Sequence, residues 1–444
     1  MSVINTSPIA WLYRPYLDLG IFNGGLPHLY GIEFSYFNLI NKSPVNYGTQ
    51  VIYPPSFRES LLQETGMQQY KIDNPLELPN ELRTKRWNNL CEHLTHYQEL
   101  KLTTKIKVIS LLRNLCLHKA VLDYIPEMSE AEIASESILA KLALYRATSN
   151  FSLSEDQGIL KEKDLEQFEK IANYAAPESA TRLSAALQLV VQYAKNFRSL
   201  EKSNFWREIA TNEIQNLQPL LDDFSYKILV SVYYRAVVFV PLLQKDKHKV
   251  IQEMDICQSY AESLTTENEN QQIVALENQC IVLESRTKEA LWLHDLDLAE
   301  DRARKLTQMS PLEPRYCLEL GEILIKQGKI EEAAKIYRSA ARLGPPGTAI
   351  AWFMAGQCYE KLGELDIACD CYLASIQMDS LAISAVERLN RLAPNLGNSA
   401  LVNWSNIRLS ELREQQKNIA SQPRTSYIPE ASSELKRAAE AIMI

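Results

Sequence analysis

With 444 residues, 46% of them apolar, the chain is long enough for two or three ordinary domains or one extended array, and apolar enough to bury a sizeable core. Its 14 Gly and 19 Pro are few for this length and disfavour a turn-rich β architecture, while a net charge of -8 excludes general nucleic-acid binding through a basic surface. Several of its 8 Cys, including Cys280, Cys317 and Cys358, sit inside apolar helix patterns and read as small buried hydrophobes, not as a disulfide framework, so a reducing cytoplasm is expected.

Residues 1–57 differ from all that follows. They hold 11 of the chain's 38 aromatics, from Trp11 and Tyr13 to Tyr53 and Phe57, together with Gly20, Gly24, Gly25, Gly31 and Gly48. That mixture does not sustain long helices, yet it is too aromatic for a solvated tail. An irregular segment over 1–78 packed on the rest of the chain is expected, with its aromatics as a second docking element. The opening M-S-V-I-N-T-S-P shows neither a basic nor an apolar leader region.

Residues 79–279 read as paired helices that follow no fixed repeat. Helices are expected at Asn80–Gln98, Thr103–His118 and Ser129–Thr148, the last opened by a capping box of Ser129 and Glu132. Asn150–Lys163 is polar and reads as an exposed connection. Further helices are expected at Asp164–Ala175, Glu178–Phe197, Asn204–Leu217, Phe224–Leu243, Lys249–Leu264 and Asn268–Leu293. The run Tyr226–Leu243 is apolar, but Lys227, Arg235 and Pro241 interrupt it. Its uninterrupted pieces are too short to cross a bilayer, so a buried central helix is expected and no membrane span.

Residues 280–392 carry the clearest order. Leu320, Gly321 and Leu324 are followed by Gly328, then by Ala333, Tyr337, Ala340 and Pro345. Trp352, Ala355, Gly356 and Tyr359 are followed by Gly363, then by Ala368 and Tyr372. From Gly321 to Gly356, and again from Tyr337 to Tyr372, is 35 residues. Small residues let two antiparallel helices approach closely, and the aromatic fills the space beside them. One such hairpin cannot bury both of its apolar faces, so the units stack. Upstream, Ala299 and Pro311 lie 34 residues before Ala333 and Pro345, with Leu283, Thr287 and Ala290 on a degenerate first helix. Downstream, Leu381–Leu392 reads as a capping helix. Residues 393–444 form a helical tail: a helix at Ala400–Lys417, a turn-rich Ser421–Glu434 and a short helix at Ser433–Met443.

The order of these residues resembles the tetratricopeptide repeat family, whose pattern is W-x2-L-G-x2-Y, then A-x3-F, then P. Cys317 stands where the family has Trp, Thr287 where it has Gly, and Ser375 and Ser380 where it has Ala and Pro. The resemblance covers about 100 residues and implies an all-α, helical-repeat (TPR-like) solenoid that binds a protein or peptide partner. It also implies a binding face on the first helix of each repeat. Carried over by position, the face holds Lys288 and Trp292, then Arg315, Glu322 and Lys326, then Phe353, Gln357 and Lys361. That set of cations, acids, amide and aromatics suits an extended peptide. The Asn residues of the clamp with which some family members hold acidic C-terminal tails are absent from the matching positions.

No catalytic constellation stands out. The phosphate-loop spacing fails, because six residues separate Gly321 from Gly328 and Ile330 follows Lys329. No G-x-S-x-G elbow or dinucleotide-binding fingerprint is present. His93 and His96, beside Cys91 and Glu92 and with Cys116 and His118 on the next helix, read as surface or interhelical histidines before they read as metal ligands. Cys369 and Cys371 point to different sides of one helix. No metal and no cofactor is therefore expected. The function read from the sequence is a protein- or peptide-binding adaptor, assembly factor or scaffold. Two alternatives stay open: a peptide-modifying enzyme or enzyme subunit that holds its substrate on the repeats, and a structural subunit of a larger complex.

Overall fold

A computed structural model describes residues 73–420, with short gaps at 84, 115–116, 157, 177–179, 268, 310–313, 344–346 and 380–381. The aromatic N-terminal segment, Cys116, Pro311, Pro345, and the expected elements beyond residue 420 lie outside the described residues. Among the described residues every long element is a helix and none is a strand; the fold is all-α and built of helical hairpins. They divide into two compact units, 73–294 and 295–420.

The first unit runs through α1 (Lys85–Thr95), α2 (Leu102–Asn114), α3 (His118–Tyr124), α4 (Glu130–Ser135), α5 (Ser137–Asp156) and α6 (Glu166–Tyr174). It continues through α7 (Ala180–Lys195), α8 (Leu200–Leu217), α9 (Asp223–Val237), α10 (Phe239–Gln244), α11 (Lys247–Glu262) and α12 (Glu269–Trp292). Helix α7 is central and packs on α6, α8, α9 and α10. Leu183, Ala186, Leu189, Val190 and Tyr193 on it are buried against Phe168, Ile171, Trp206 and Val237.

Three expectations are corrected here. Ser129–Thr148 is two helices, because Glu136 is extended at φ -144° and ψ 138°; the capping box opens only the first of them, with Glu132 N–H donating to Ser129 Oγ at 3.3 Å and Ser129 N–H to Glu132 Oε2 at 2.8 Å. The polar stretch after Asn150 is helical to Asp156, because Phe151 and Leu153 anchor it in the core. The apolar run 224–243 divides at Val238 into α9 and α10. Pro241 explains the division: it has no N–H for the Val237 carbonyl four residues back, and its ring crowds that carbonyl. By length and composition Asp223–Gln244 passes for a membrane span. Here, however, Val230, Ser231, Tyr233, Ala236 and Val237 are buried, and α9 packs on α7, α11 and α12.

The second unit contains α13 (Leu296–Met309), α14 (Pro314–Lys326), α15 (Ile330–Leu343), α16 (Thr348–Leu362), α17 (Leu365–Met378), α18 (Ile383–Leu392) and α19 (Ser399–Ala420). Each helix packs on the next. The two hairpin turns share one geometry. Gly328 and Gly363 are left-handed at φ +77° and +81°. After each, the following amide reaches back to a carbonyl of the preceding helix, Lys329 N to Leu324 O and Glu364 N to Tyr359 O, both at 2.9 Å. This is the glycine-terminated helix end that lets the chain reverse without a Cβ clash.

Within the hairpins the spacing seen in the sequence becomes contact. A Cβ built on Gly321 would lie 2.6 to 2.9 Å from the Tyr337 ring, and one on Gly356 2.7 to 3.1 Å from the Tyr372 ring. Both rings are fully buried. The glycines therefore set how closely α14 approaches α15, and α16 approaches α17.

Candidate functional site

The first helices of the two hairpins position most of the expected binding residues. On α14, Tyr316, Cys317, Leu320, Gly321, Ile323 and Leu324 are buried, which leaves Arg315, Glu322 and Lys326 exposed on the remaining face. Residues 315, 322 and 326 are seven and four apart and so share one side of the helix. Glu322 Oε1 and Lys326 Nζ pair at 2.8 Å with about half of each side chain exposed. An exposed pair of this kind is worth about 0 to 1 kcal/mol, so a partner exchanges it at little cost.

On α16 the expected positions separate. Lys361 is exposed in the last helical turn, where a cation suits the carbonyl end of the helix. Phe353 and Gln357 are not on an open face. Phe353 is only 1% exposed, and its ring meets that of Tyr372 at a centroid distance of 5.7 Å. Gln357 is 5% exposed, and its Oε1 has no hydrogen-bond partner. The physical reason is that α16 lies between α15 and α17 and buries nearly every residue from Ala349 to Tyr359. Phe353 is a packing residue of the hairpin, and Gln357 is enclosed with it.

The degenerate repeat supplies Lys288 and Trp292, which belong to the first unit. Lys288 is exposed and pairs with Glu284. Trp292 is half-buried against Val238, Val250 and Met254, so it serves that unit's core. Leu362, 39% exposed beside Lys361, is apolar surface that the sequence pattern passed over. The signal was present: Leu362 immediately precedes the turn at Gly363, where no hairpin contact covers it.

Ion pairs clamp the same helices together. Glu300 on α13 accepts from Lys329 at 2.6 Å and pairs with Arg304 at 2.7 Å, and Arg304 in turn reaches Glu332 on α15 at 2.5 Å. The Lys329 hydrogen bond, with help from Arg304, holds the Glu300 carboxyl down to about 2. Glu360 on α16 accepts from Tyr372 Oη at 2.7 Å, from Arg388 at 3.3 Å and from Arg391.

The residues considered for metal or thiol chemistry are dispersed. His93 Nδ1 lies 2.7 Å from its own helix's Asn89 carbonyl, His96 faces Glu99, and His118 Nδ1 lies 3.2 Å from Ser149 Oγ. Among the described residues no three His, Cys, Asp or Glu side chains converge as a ligand set. Burial pushes the thiols of Cys358 up to about 12 and of Cys369 and Cys371 to about 11, so none is a thiolate at neutral pH.

Comparison with known proteins places the repeats. A tetratricopeptide repeat model matches residues 288–348 and again 318–382. No curated protein matches the chain. Among solved structures, the chain is similar to the crystal structure of MamA, at 17% identity over 39% of this chain and 96% of that one, with a TM-score of 0.30. It is also similar to a signal-transduction ATPase with numerous domains that carries a tetratricopeptide repeat sensor, from Pyrococcus horikoshii. That match has 10% identity over 81% of this chain and 55% of that one, with a TM-score of 0.44. The tetratricopeptide match thus falls on the hairpins of residues 288–382, where the glycine–tyrosine contacts lie.

Proposed function

We propose that this protein is a protein- or peptide-binding adaptor, assembly factor or scaffold, and that Arg315, Glu322, Lys326 and Lys361 form part of its recognition face. Tetratricopeptide repeats as a family mediate contacts between proteins. The observation that carries the reading is α14. Its small and apolar residues are used up by hairpin packing, while three charged side chains at one-face spacing stay at the surface. A mixed-charge face of this kind holds an extended peptide through side chains and amides. The seven free, buried cysteines among the described residues favour a reducing compartment, and we place the protein in the cytoplasm.

Affinity capture from the native host tests the reading. The triple variant R315E/K326E/K361E is compared with wild type and with K335E, an exposed control on α15. The triple variant is expected to lose specific partners that wild type and K335E both retain. Identical partner sets for all three would overturn the assignment of this face. Phe353 is left out of the test, because truncating a buried aromatic opens a cavity and destabilises the fold by about 3 to 5 kcal/mol.

A further inference from the structure

Several arginines of the first unit have internal hydrogen-bond or ion-pair partners. Arg146 Nη1 donates to the carbonyls of Leu122, at 2.9 Å, and of Ile125. Arg182 reaches the Ala172 carbonyl at 2.9 Å and Glu213 at 3.3 Å. Arg207 pairs with Glu253. Arg286 pairs with Asp255 at 2.7 Å and with Glu289 at 2.9 Å. Arg235, on α9, has no such partner. Its Nε is buried without a hydrogen bond, and no carboxylate or carbonyl among the described residues accepts from the rest of its guanidinium, whose Nη groups reach the surface. The acid whose charge acts on it, Glu284, is held by Lys288. Burial works against its charge.

One side of α9 beside Arg235 is apolar. Ile228 and Val232, seven and three residues before it on α9, share its side of the helix, and each is half-buried or exposed, Val232 at 36%. A guanidinium fork at the surface beside apolar side chains, with no acid hydrogen-bonded to it, is suited to an anion brought from outside.

We infer that Arg235 is the anchor of a second recognition site, which takes a single carboxylate of a peptide segment whose neighbouring side chains are apolar. The inference rests on the reading of the chain as a peptide-binding protein and adds the partner's chemistry. One fork matches one carboxylate in a bidentate pair. A phosphate group, with its higher charge, calls for further cations. Here Arg286 is already neutralised by two acids, Glu284 lies nearby, and the chain as a whole carries -8. The apolar stripe receives the flanking side chains.

The test uses full-length protein and a panel of immobilised 12-residue peptides. Each carries one central Asp or Glu flanked by Leu, Ile, Val or Phe, beside its Asn or Gln counterpart and a phosphoserine counterpart. Wild type is expected to bind members of the acidic set about tenfold or more tightly than their amides, the scale of one charge-assisted pair. Arg235→Met is expected to abolish that preference. Because it removes an unpaired, half-buried cation, its melting temperature is expected to be no lower than that of wild type. Arg235→Lys, which keeps the charge but not the fork, is expected to lose most of the preference and supplies the answer if the Met variant folds poorly. Equal binding of acids and amides by wild type, an undiminished preference in both variants, or Arg235-dependent binding confined to the phosphoserine peptides would each overturn the proposal. Binding without acid preference would sink this site and leave the peptide-binding reading standing. The charge-reversal capture experiment on α14 and α16 tests that reading independently.

Discussion

The two units solve the same problem, packing helix against helix, by different chemistry. Residues 295–420 do it sterically. Gly321 admits Tyr337, Gly356 admits Tyr372, and Ala is the commonest buried residue between them, including Ala333, Ala340, Ala355 and Ala368. Residues 73–294 bury more charge: Glu213, Glu253, Arg286 and Glu289 are all below 9% exposed, against Asp379 among the described residues of the second unit. The contrast explains why one unit carries a family pattern and the other does not. Close approach requires a small residue at a fixed offset from an aromatic, so it leaves a spacing in the sequence. A buried ion pair requires only that two side chains meet in space, and Arg207 and Glu253 meet across 46 residues.

Removing one member of a buried pair is the largest expected way to break this comparison. Glu253→Gln leaves the Arg207 guanidinium half-buried without its acid, and is expected to destabilise the first unit by about 3 to 5 kcal/mol. Replacing both residues with Met and Leu is expected to recover most of that loss, because the pair's own desolvation cost disappears with it. Urea unfolding, with hydrogen exchange to assign the transition to 73–294, reads both.

Gly321→Ala comes next. In an open helix this change stabilises by about 1 kcal/mol. Here the new methyl group meets the buried Tyr337 ring, and a net loss of roughly 1 to 3 kcal/mol is expected in the second unit. The sign is the sharp part of the prediction. Gly321→Ala/Tyr337→Leu is expected to be more stable than the sum of its single changes, since the smaller side chain makes room for the methyl group. Additivity would show that Gly321 does not set the helix separation.

The smallest expected effect is electrostatic. The Glu300 carboxyl is held at about 2 in the folded chain, against an ordinary value of 4.5. Its folded value is depressed, so its contribution is fully present above pH 4.5 and is lost as pH falls from there through 2. Glu300→Gln is expected to flatten the pH dependence of the second unit's unfolding midpoint within that window and to leave its slope above pH 5 unchanged.

Legibility followed the same division. The glycine turns at Gly328 and Gly363 and the Gly321–Tyr337 spacing were readable because each has one steric cause. The Ser129–Glu132 box was readable because its two hydrogen bonds are local. The split of the apolar run at Val238 was half visible: Pro241 is in the sequence, but its effect falls four residues upstream. Phe353 and Gln357 were misplaced because family positions describe a helix face and not what covers it, and α16 lies between two neighbours. Arg235 was noticed only as an interruption of an apolar run. That its fork lacks an acid depends on where Glu284 and Lys288 lie in space, which no spacing encodes.

Site-specific photocrosslinking tests the functional claim most directly. A benzoylphenylalanine is placed at position 322 or 326 of α14, or at position 335 of α15 as control, in protein returned to its native host. The account predicts crosslinks to the same partner protein from 322 and 326 and none from 335. Crosslinks only from 335, or equally from all three positions, would contradict it.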